Sequence, residues 1–358
     1  KCLMSKAVVL VSSDTSYLEH QLSLLDYTSY PIDEYNHKNI HKLNDLRFIN
    51  NFIKDILLKH SHPYLIYGSG LEDKQKIYDL LTNNFIVKGN NLNMLSSFSD
   101  LSVFKSTFEK HNFKIPDDFN NDTLNGNKYI WKPLLGSGGY GISLDIKDGE
   151  GYYKQRYLSG DTYSISFLCR DNDFLFLGFN KLLLLKSHLK HPFIHAGAVM
   201  AMLPINHHDI VSSFKGLSID LSLNGYNSID FKIINNDVYI LDINPRITST
   251  FKIYNDIYNN KLLEFQMNEQ DYPLNKLATD DTGIYGYIHF FSKEDFKYKK
   301  YVSDNDLINL PKEDEYIKKG EPIFSIYSHA LTYTDLISKL QEKISNLRNY
   351  YKFYDIVI

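Results

Sequence analysis

"NSIDFKIINNDVYILDINPRITST", Asn227 to Thr250, carries one aspartate in each of two β-rich runs, Asp230 and Asp242. Val, Ile, Tyr and Phe dominate both runs, and Asn235-Asn236-Asp237 between them is a turn sequence. Read as a hairpin with a three-residue loop centred on Asn236, the stretch sets Asp230 directly opposite Asp242. Such cross-strand Cβ atoms lie roughly 4.5–5.5 Å apart. Like charges repel at that distance, so a positive charge is expected between them. Asn244 continues the same face two residues on, and Pro245 ends the strand before Arg246. Two carboxylates and an amide oxygen on one face make a hard-oxygen site suited to Mg²⁺, which would also carry phosphates. A two-residue turn would break this reading, because a one-residue slip puts the aspartates on opposite faces. The alternative is a solvent-facing hairpin with surface charges.

A chain of 358 residues is long enough for two or three domains with a sizeable core. Hydrophobic content of 43% and charged content of 23% are those of a soluble globular protein. The net charge of -4 carries no global signal for nucleic acid. No apolar run approaches the ~18 residues of a membrane span. "AVVLVSS" near the start reads as a strand, with no small-residue cleavage pattern behind it. Cys2 and Cys169 are too few for a disulfide framework or a thiolate zinc site, and a reducing cytoplasm is the expected setting.

The first 95 residues read as an open α/β unit. Val8–Val11 and Tyr64–Tyr67 are strand runs, and the second leads through Gly68-Ser69-Gly70 into a helical stretch from Glu72 to Leu81. Phe85-Ile86-Val87 is a third short strand, and Asp100 is an N-cap for a helix ending near His111. Residues 96–282 read as mostly antiparallel β: "KYIWKP", "ISLDI", "GYYKQRYLSG", "DTYSISFLC" and "FLFLGFNKLLLL", then a helix from Asp209 to Leu223 and the aspartate hairpin. From Gly283 a smaller β-rich section runs to 358 and ends in a lysine-rich helix, Thr334–Asn349.

"GSGGYG", Gly136–Gly141, matches G-x-G-x-x-G, but strand-like alternation follows where a dinucleotide fold needs a helix. Ile142-Ser143 replaces the Lys-Ser/Thr of a Walker loop, and no H-R-D or D-F-G appears to support a kinase with Lys154 in the lysine's place. What remains is a glycine flap between antiparallel strands, whose N–H groups suit phosphates. Lys132 precedes it on a strand beside Trp131 and is a plausible phosphate contact. His188, His191 and His195 have the spacing of a helical metal site, but Pro192 interrupts the helix, which argues against zinc.

Strand lysine, glycine flap, "KQRYLSG" turn, helix and Asp…Asp-x-Asn-Pro-Arg, in that order, resemble the ATP-grasp superfamily. The resemblance implies an α+β ATP-grasp fold behind the N-terminal parallel domain. It implies that Lys132 meets ATP phosphates, that Gly138, Gly139 and Gly141 cover them, and that Gln155, Arg156, Tyr157 and Leu158 hold adenine. Asp161 would contact ribose. Asp230, Asp242 and Asn244 would bind Mg²⁺ or Mn²⁺, and Arg246 would contact phosphate or an acylphosphate. Three positions depart from the pattern: Asp242 and Gln155 stand where Glu is commoner, and Leu101 in "SDLSVF" stands where many members carry an earlier ATP lysine, with Lys105 nearby. "GEPIFSIYSHALTYTDLISKL" looks like the C-terminal piece of biotin-carboxylase relatives.

"LGFNKLLLL…HPFIHAGAVMAMLP…NGYNSIDF…LDINPRITST" is similar to a carboligase group within that superfamily, to which the tyramine–glutamate ligase of methanofuran synthesis is related. The resemblance implies an ATP- and Mg²⁺-dependent carboxylate–amine ligase that forms an amide through an acylphosphate, on a one-carbon carrier cofactor of the methanofuran or methanopterin type. The alternatives are a biotin-carboxylase-like carboxylation and a non-catalytic ATP-binding module. Expected partners are a small carboxylate and an amine, with no nucleic acid and no membrane; a homo-oligomer stays open.

Overall fold

The computed structural model describes residues 6–33, 43, 45–93, 98, 100–116, 129–145, 151–186, 192–268, 277, 279–301 and 306–358. The N-terminal strands are β1 (Lys6–Ser12), β2 (Tyr27–Asp33), β3 (Tyr64–Tyr67) and β4 (Ile86–Val87). They form a parallel sheet in the order β2-β1-β3-β4. Only Lys6 of β1 is exposed, as a strand covered on both faces requires. Helices Ser16–Leu24, Leu46–Leu57 and Gln75–Thr82 serve this sheet. The middle one buries Ile49, Ile53 and Ile56 at helical spacing and is capped by the Asp45 side chain. The expected helix over Glu72–Leu81 begins only at Gln75, so Glu72 and Asp73 belong to the loop after β3. The sheet reverses its winding direction at β1, with β2 on one side and β3 on the other. Ligands of open α/β sheets sit outside the carboxyl ends at such a point.

Strands β5 (Tyr129–Pro133) and β6 (Tyr152–Arg156) make a separate antiparallel pair. The expected strand "ISLDI" shrinks to one bridge, Ser143 with Trp131. The Ser143 hydroxyl accepts from the Asp145 N–H at 3.0 Å and turns the chain away from the ladder.

The remaining strands are β7 (Thr162–Arg170), β8 (Asp173–Lys186), β9 (His195–Met200), β10 (Gly225–Ile234), β11 (Asp237–Asn244), β12 (Ile284–Phe291), β13 (Phe296–Lys297), β14 (Leu307–Ile308), β15 (Tyr316–Ile317), β16 (Pro322–Ala330) and β17 (Asp355–Val357). Nine of them form an antiparallel sheet in the order β11-β10-β7-β8-β9-β12-β16-β14, with β17 pairing with β8. The expected boundary at Gly283 falls just before β12, which enters the sheet beside β9. One core crosses that position: Leu183 and Val199 pack with Ile288, Phe290, Phe324 and Leu336. Phenylalanines 108, 113, 167, 214 and 231 fill a second core, shared by the β7–β10 seam, helix Leu101–Glu109 and helix His207–Asp220. The free thiol of Cys169 is buried in that core. Among the described residues no helix is long and apolar enough to cross a membrane.

The aspartate hairpin differs from expectation in its turn. Ile234 pairs with Asp237, so the loop is the two residues Asn235 and Asn236, at φ +51 and +69°. Two consecutive positive φ values are those of a type I′ turn, which asparagine tolerates. The pairing then slips by one between Asp230 and Phe231, where Leu241 is the extra residue of a bulge. The slip restores the register: Asp230 opposes Asp242 and Ser228 opposes Asn244.

Candidate active site

A cavity of about 880 Å³ runs from the carboxyl ends of β1 and β3, across one face of the large sheet, to the β5–β6 pair. Asp230, Asp242 and Asn244 line it, and the Asn244 amide faces the Asp230 carboxylate at 3.5 Å. Burial first, and then the Asp242 charge, push the Asp230 carboxyl up to about 7. The charges of Lys132 and Arg246 offset only part of this. Lys132 reaches over from β5: its ammonium donates to the carbonyl of Leu241, the bulge residue, and lies 3.8 Å from Asp242 Oδ1. Burial opposes that charge, but Asp242, Tyr153 and Asp230 outweigh it and hold Lys132 above the ordinary lysine range. Two crowded carboxylates, one of them raised in this way, fit a hard divalent cation, while the Asn244 amide turns its NH2 to Asp230 and its oxygen to Arg246. Among the described residues no group of three or more His, Cys, Asp and Glu offers a fuller ligand set. Mg²⁺ usually completes its shell with water and substrate phosphates, so the smaller set suffices.

Arg246 is buried and donates from Nη2 to Asn244 Oδ1 at 2.8 Å. Its opposite charge is Glu72, also buried, at 2.5 Å. The glycine flap lies over the cavity. Gly138, Gly139 and Gly141 take φ of +64, +79 and +79°. The Gly138 carbonyl accepts from the His195 N–H at 3.0 Å, and a Cβ on Gly139 would stand 1.9 Å from the Phe193 carbonyl oxygen. Gln155, Arg156, Tyr157 and Leu158 also line the cavity, with Gln155 and Leu158 buried.

The structure thus brings twelve of the thirteen expected residues to one cavity. The exception is Asp161, which does not line it and pairs with Lys181 at 3.2 Å. Lys105 stands on helix Leu101–Glu109 beside Glu109 at 3.7 Å, away from the cavity. Of the three histidines, His188 and His191 lie outside the described residues, and His195 opens β9. His195 Nε2 and the Tyr287 hydroxyl are hydrogen-bonded at 2.9 Å, and His289 Nδ1 meets the Ser325 hydroxyl at 2.7 Å. Burial pulls His195 down to about 4; burial and then the neighbouring His195 pull His289 to about 3. Both therefore stand as neutral imidazoles near neutral pH.

Sequence reasoning passed over Glu72, Lys232, Tyr287 and His289, all of which line the cavity. For Glu72 the signal was there, since Gly68-Ser69-Gly70 ends a parallel strand just before it. For Tyr287 and His289 there was none, because they alternate in a strand like any half-buried pair.

Comparison with known proteins bears on the fold. The family model for the ATP-grasp domain matches residues 99–250. An uncharacterized protein of Methanocaldococcus jannaschii is 28% identical over 209 residues, which cover 55% of this chain and 50% of that relative; the chain thus spans about half the relative's length. The biotin carboxylase domain of Hydrogenobacter thermophilus 2-oxoglutarate carboxylase, in complex with MgADP, ADP and bicarbonate, superposes with a TM-score of 0.73 at 10% identity, covering 97% of this chain and 91% of that one. The L-amino acid ligase of Bacillus licheniformis superposes at 0.70, again 10% identical, covering 97% and 98%. Residues 99–250 match the model of the ATP-grasp domain, and the chain shares the fold of these solved structures.

Proposed function

We propose that the chain is an ATP- and Mg²⁺-dependent carboxylate–amine ligase that forms an amide through an acylphosphate. The observation that carries this is the convergence of Asp230, Asp242 and Asn244 with Lys132 and Arg246 at one point of a cavity roofed by a glycine flap. The relatives in this fold include one held with MgADP and one named an amino acid ligase, which supports the same reading.

In the proposed reaction a carboxylate oxygen of the acid attacks the γ-phosphorus of ATP, and ADP leaves. The amine nitrogen then attacks the acyl carbon, the carbon–oxygen bond to phosphate breaks, and the nitrogen loses a proton. Lys132 and Arg246 offset phosphate charge, and the flap N–H groups of Gly138, Gly139 and Gly141 donate to phosphate oxygens. Asp230, Asp242 and Asn244 hold Mg²⁺, or Mn²⁺ in its place, which supplies electrostatic stabilisation of the transferring phosphoryl group. Gln155 to Leu158 hold the adenine. Asp161 reaches the ribose only if its pair with Lys181 parts. The working division is an N-terminal domain over 1–95, an ATP-grasp domain over 96–282 and a C-terminal section over 283–358. The finer reading, an amide on a one-carbon carrier, rests on the family resemblance of the stretches running from "LGFNKLLLL" through "LDINPRITST" alone, and the cytoplasmic setting on the low cysteine count.

The test is ADP release from Mg-ATP across panels of acids and amines, glutamate with tyramine or tyrosine included. Stimulation by one acid–amine pair is expected. Stimulation by bicarbonate alone would replace the ligase with a carboxylation, and Mg-ATP binding without turnover under any pair would leave a binding module.

A further inference from the structure

The loops at the carboxyl ends of the N-terminal strands grip residues 245–247 at three points. At Gly68, after β3, a Cβ would meet Ser12 Oγ at 2.4 Å and the Ile247 carbonyl oxygen at 3.3 Å, so glycine is what lets the loop approach the Arg246–Ile247 backbone. Asn90, after β4, is buried and donates to the Pro245 carbonyl at 3.0 Å and to Asn227 Oδ1 at 2.8 Å. Glu72 completes the set. Its Oε2 accepts from the Gly70 N–H at 2.7 Å, which fixes the carboxylate on its own loop. Its Oε1 stands 2.5 Å from Arg246 Nη2, with side-chain exposures of 7% and 5%. The contact is one of charge rather than of hydrogen-bond alignment, since Glu72 Oε1 and Arg246 Nε both have no hydrogen-bond partner. A buried ion pair with unmet donors and acceptors is weak evidence for stability. It is better explained by what it does to Arg246.

Arg246 donates to Asn244 Oδ1 at 2.8 Å and to the Ile247 carbonyl at 3.4 Å, and Asn244 in turn faces Asp230 at 3.5 Å, so the guanidinium stands one side chain away from the proposed cation ligands. We propose that Glu72 is a positioning residue that holds the Arg246 guanidinium on Asn244 and away from Asp230 and Asp242, so that these carboxylates stay available to a divalent cation. The inference rests on the ligase reading for the identity of the cation and nucleotide. It adds a control by the N-terminal sheet over the metal-binding hairpin, through the chain Gly70–Glu72–Arg246–Asn244–Asp230.

The experiment is a calorimetric titration of ADP at graded Mg²⁺ concentrations, run on wild type, Glu72→Gln, Arg246→Gln and the double variant, with thermal unfolding as a check on folding. Glu72→Gln is expected to raise the Mg²⁺ needed for half-maximal ADP binding by about 10–100-fold, the usual scale for a residue that orients metal ligands. In the Arg246→Gln background the same change is expected to alter that Mg²⁺ value by no more than about two-fold, because the cation Glu72 restrains is gone. A purely structural Glu72 would weaken both backgrounds alike, and that result overturns the inference. Should Glu72→Gln fail to fold, the double variant, which buries no unpaired charge, still carries the comparison with Arg246→Gln. Wild type that binds ADP with Glu72→Gln unchanged in its Mg²⁺ requirement overturns the positioning role alone. Wild type that binds no ADP at any Mg²⁺ concentration overturns the nucleotide site itself.

Discussion

Asp230 shows most directly what the site is built to hold. Its pKa of about 7 lies well above the ordinary 3.8, first through burial and then through Asp242. A carboxyl whose folded pKa is raised contributes most to stability below its unfolded pKa and loses that contribution as pH rises through the folded value. The loss therefore runs from about pH 4 to about pH 7, and a divalent cation bound as proposed would reverse it. Wild type is expected to gain more in melting temperature from Mg-ADP at about pH 8 than at about pH 5.5. Asp230→Asn is expected to melt at or a few degrees above wild type at about pH 8 without added metal, and to gain nothing from Mg-ADP. Thermal melts across pH decide this. An equal gain for both proteins would remove Asp230 from the cation site. The carboxylates, Lys132 and Arg246 were all legible as residues. Glu72 was marked only by its place after the glycine turn; its pairing with Arg246 was not legible, because it comes from a close approach between segments 174 residues apart, which no local spacing records.

At the scale of the element, the hairpin reached the expected pairing by an unexpected route. Two asparagines tolerate the left-handed backbone of a two-residue turn, and that turn alone would have set Asp230 and Asp242 on opposite faces. The bulge at Leu241 puts them back together and turns its own carbonyl to Lys132. Nothing in "DVYILDIN" marks the bulge, since every residue in it is an ordinary strand former apart from the acids and the final asparagine. Deleting Leu241 would leave Asp230 opposite Asp242 in an unbulged ladder but take away the bulged backbone and the carbonyl that Lys132 holds, and is expected to weaken Mg-ADP binding by about ten-fold, whereas Asn236→Gly, which suits the same turn, is expected to leave binding within about two-fold of wild type. Calorimetry on the two variants checks it; a Leu241 deletion that binds as tightly as wild type would show the bulge to be incidental. The flap was legible as an element, but its return arm was not. "ISLDI" alternates like a strand, yet the Ser143 side chain turns the backbone out of the ladder after one bridge.

For the whole molecule, the parallel sheet and the large antiparallel sheet were legible as classes, while β2 was not. "YTSYPID" is half-buried for most of its length and carries a proline, so neither burial pattern nor composition marks it. The order of the large sheet was also beyond reach, because β10 lies between β11 and β7 although two strands and a helix separate β7 from it in sequence. That sheet bears on the working domain boundary. A chain ended at Thr282 would lose β12, β16 and β17, expose the edge of β9 and open the core around Leu183 and Val199. Such a chain is expected to aggregate or to bind ADP far more weakly than the full chain, as size-exclusion chromatography and calorimetry would report. A soluble, monodisperse, ADP-binding product would show that 283–358 is dispensable. Cys169 sits opposite Gly225 across the β7–β10 seam, five residues from Asp230 on the partner strand, and burial pushes its thiol up to about 12. Thiol reagents attack the thiolate, so this side chain is silent while the seam is shut and reactive once it parts. The protein thereby carries a built-in chemical clock for the breathing of the strand that holds Asp230, readable by mass spectrometry as the mass a thiol reagent adds to Cys169, with no cysteine introduced by mutation.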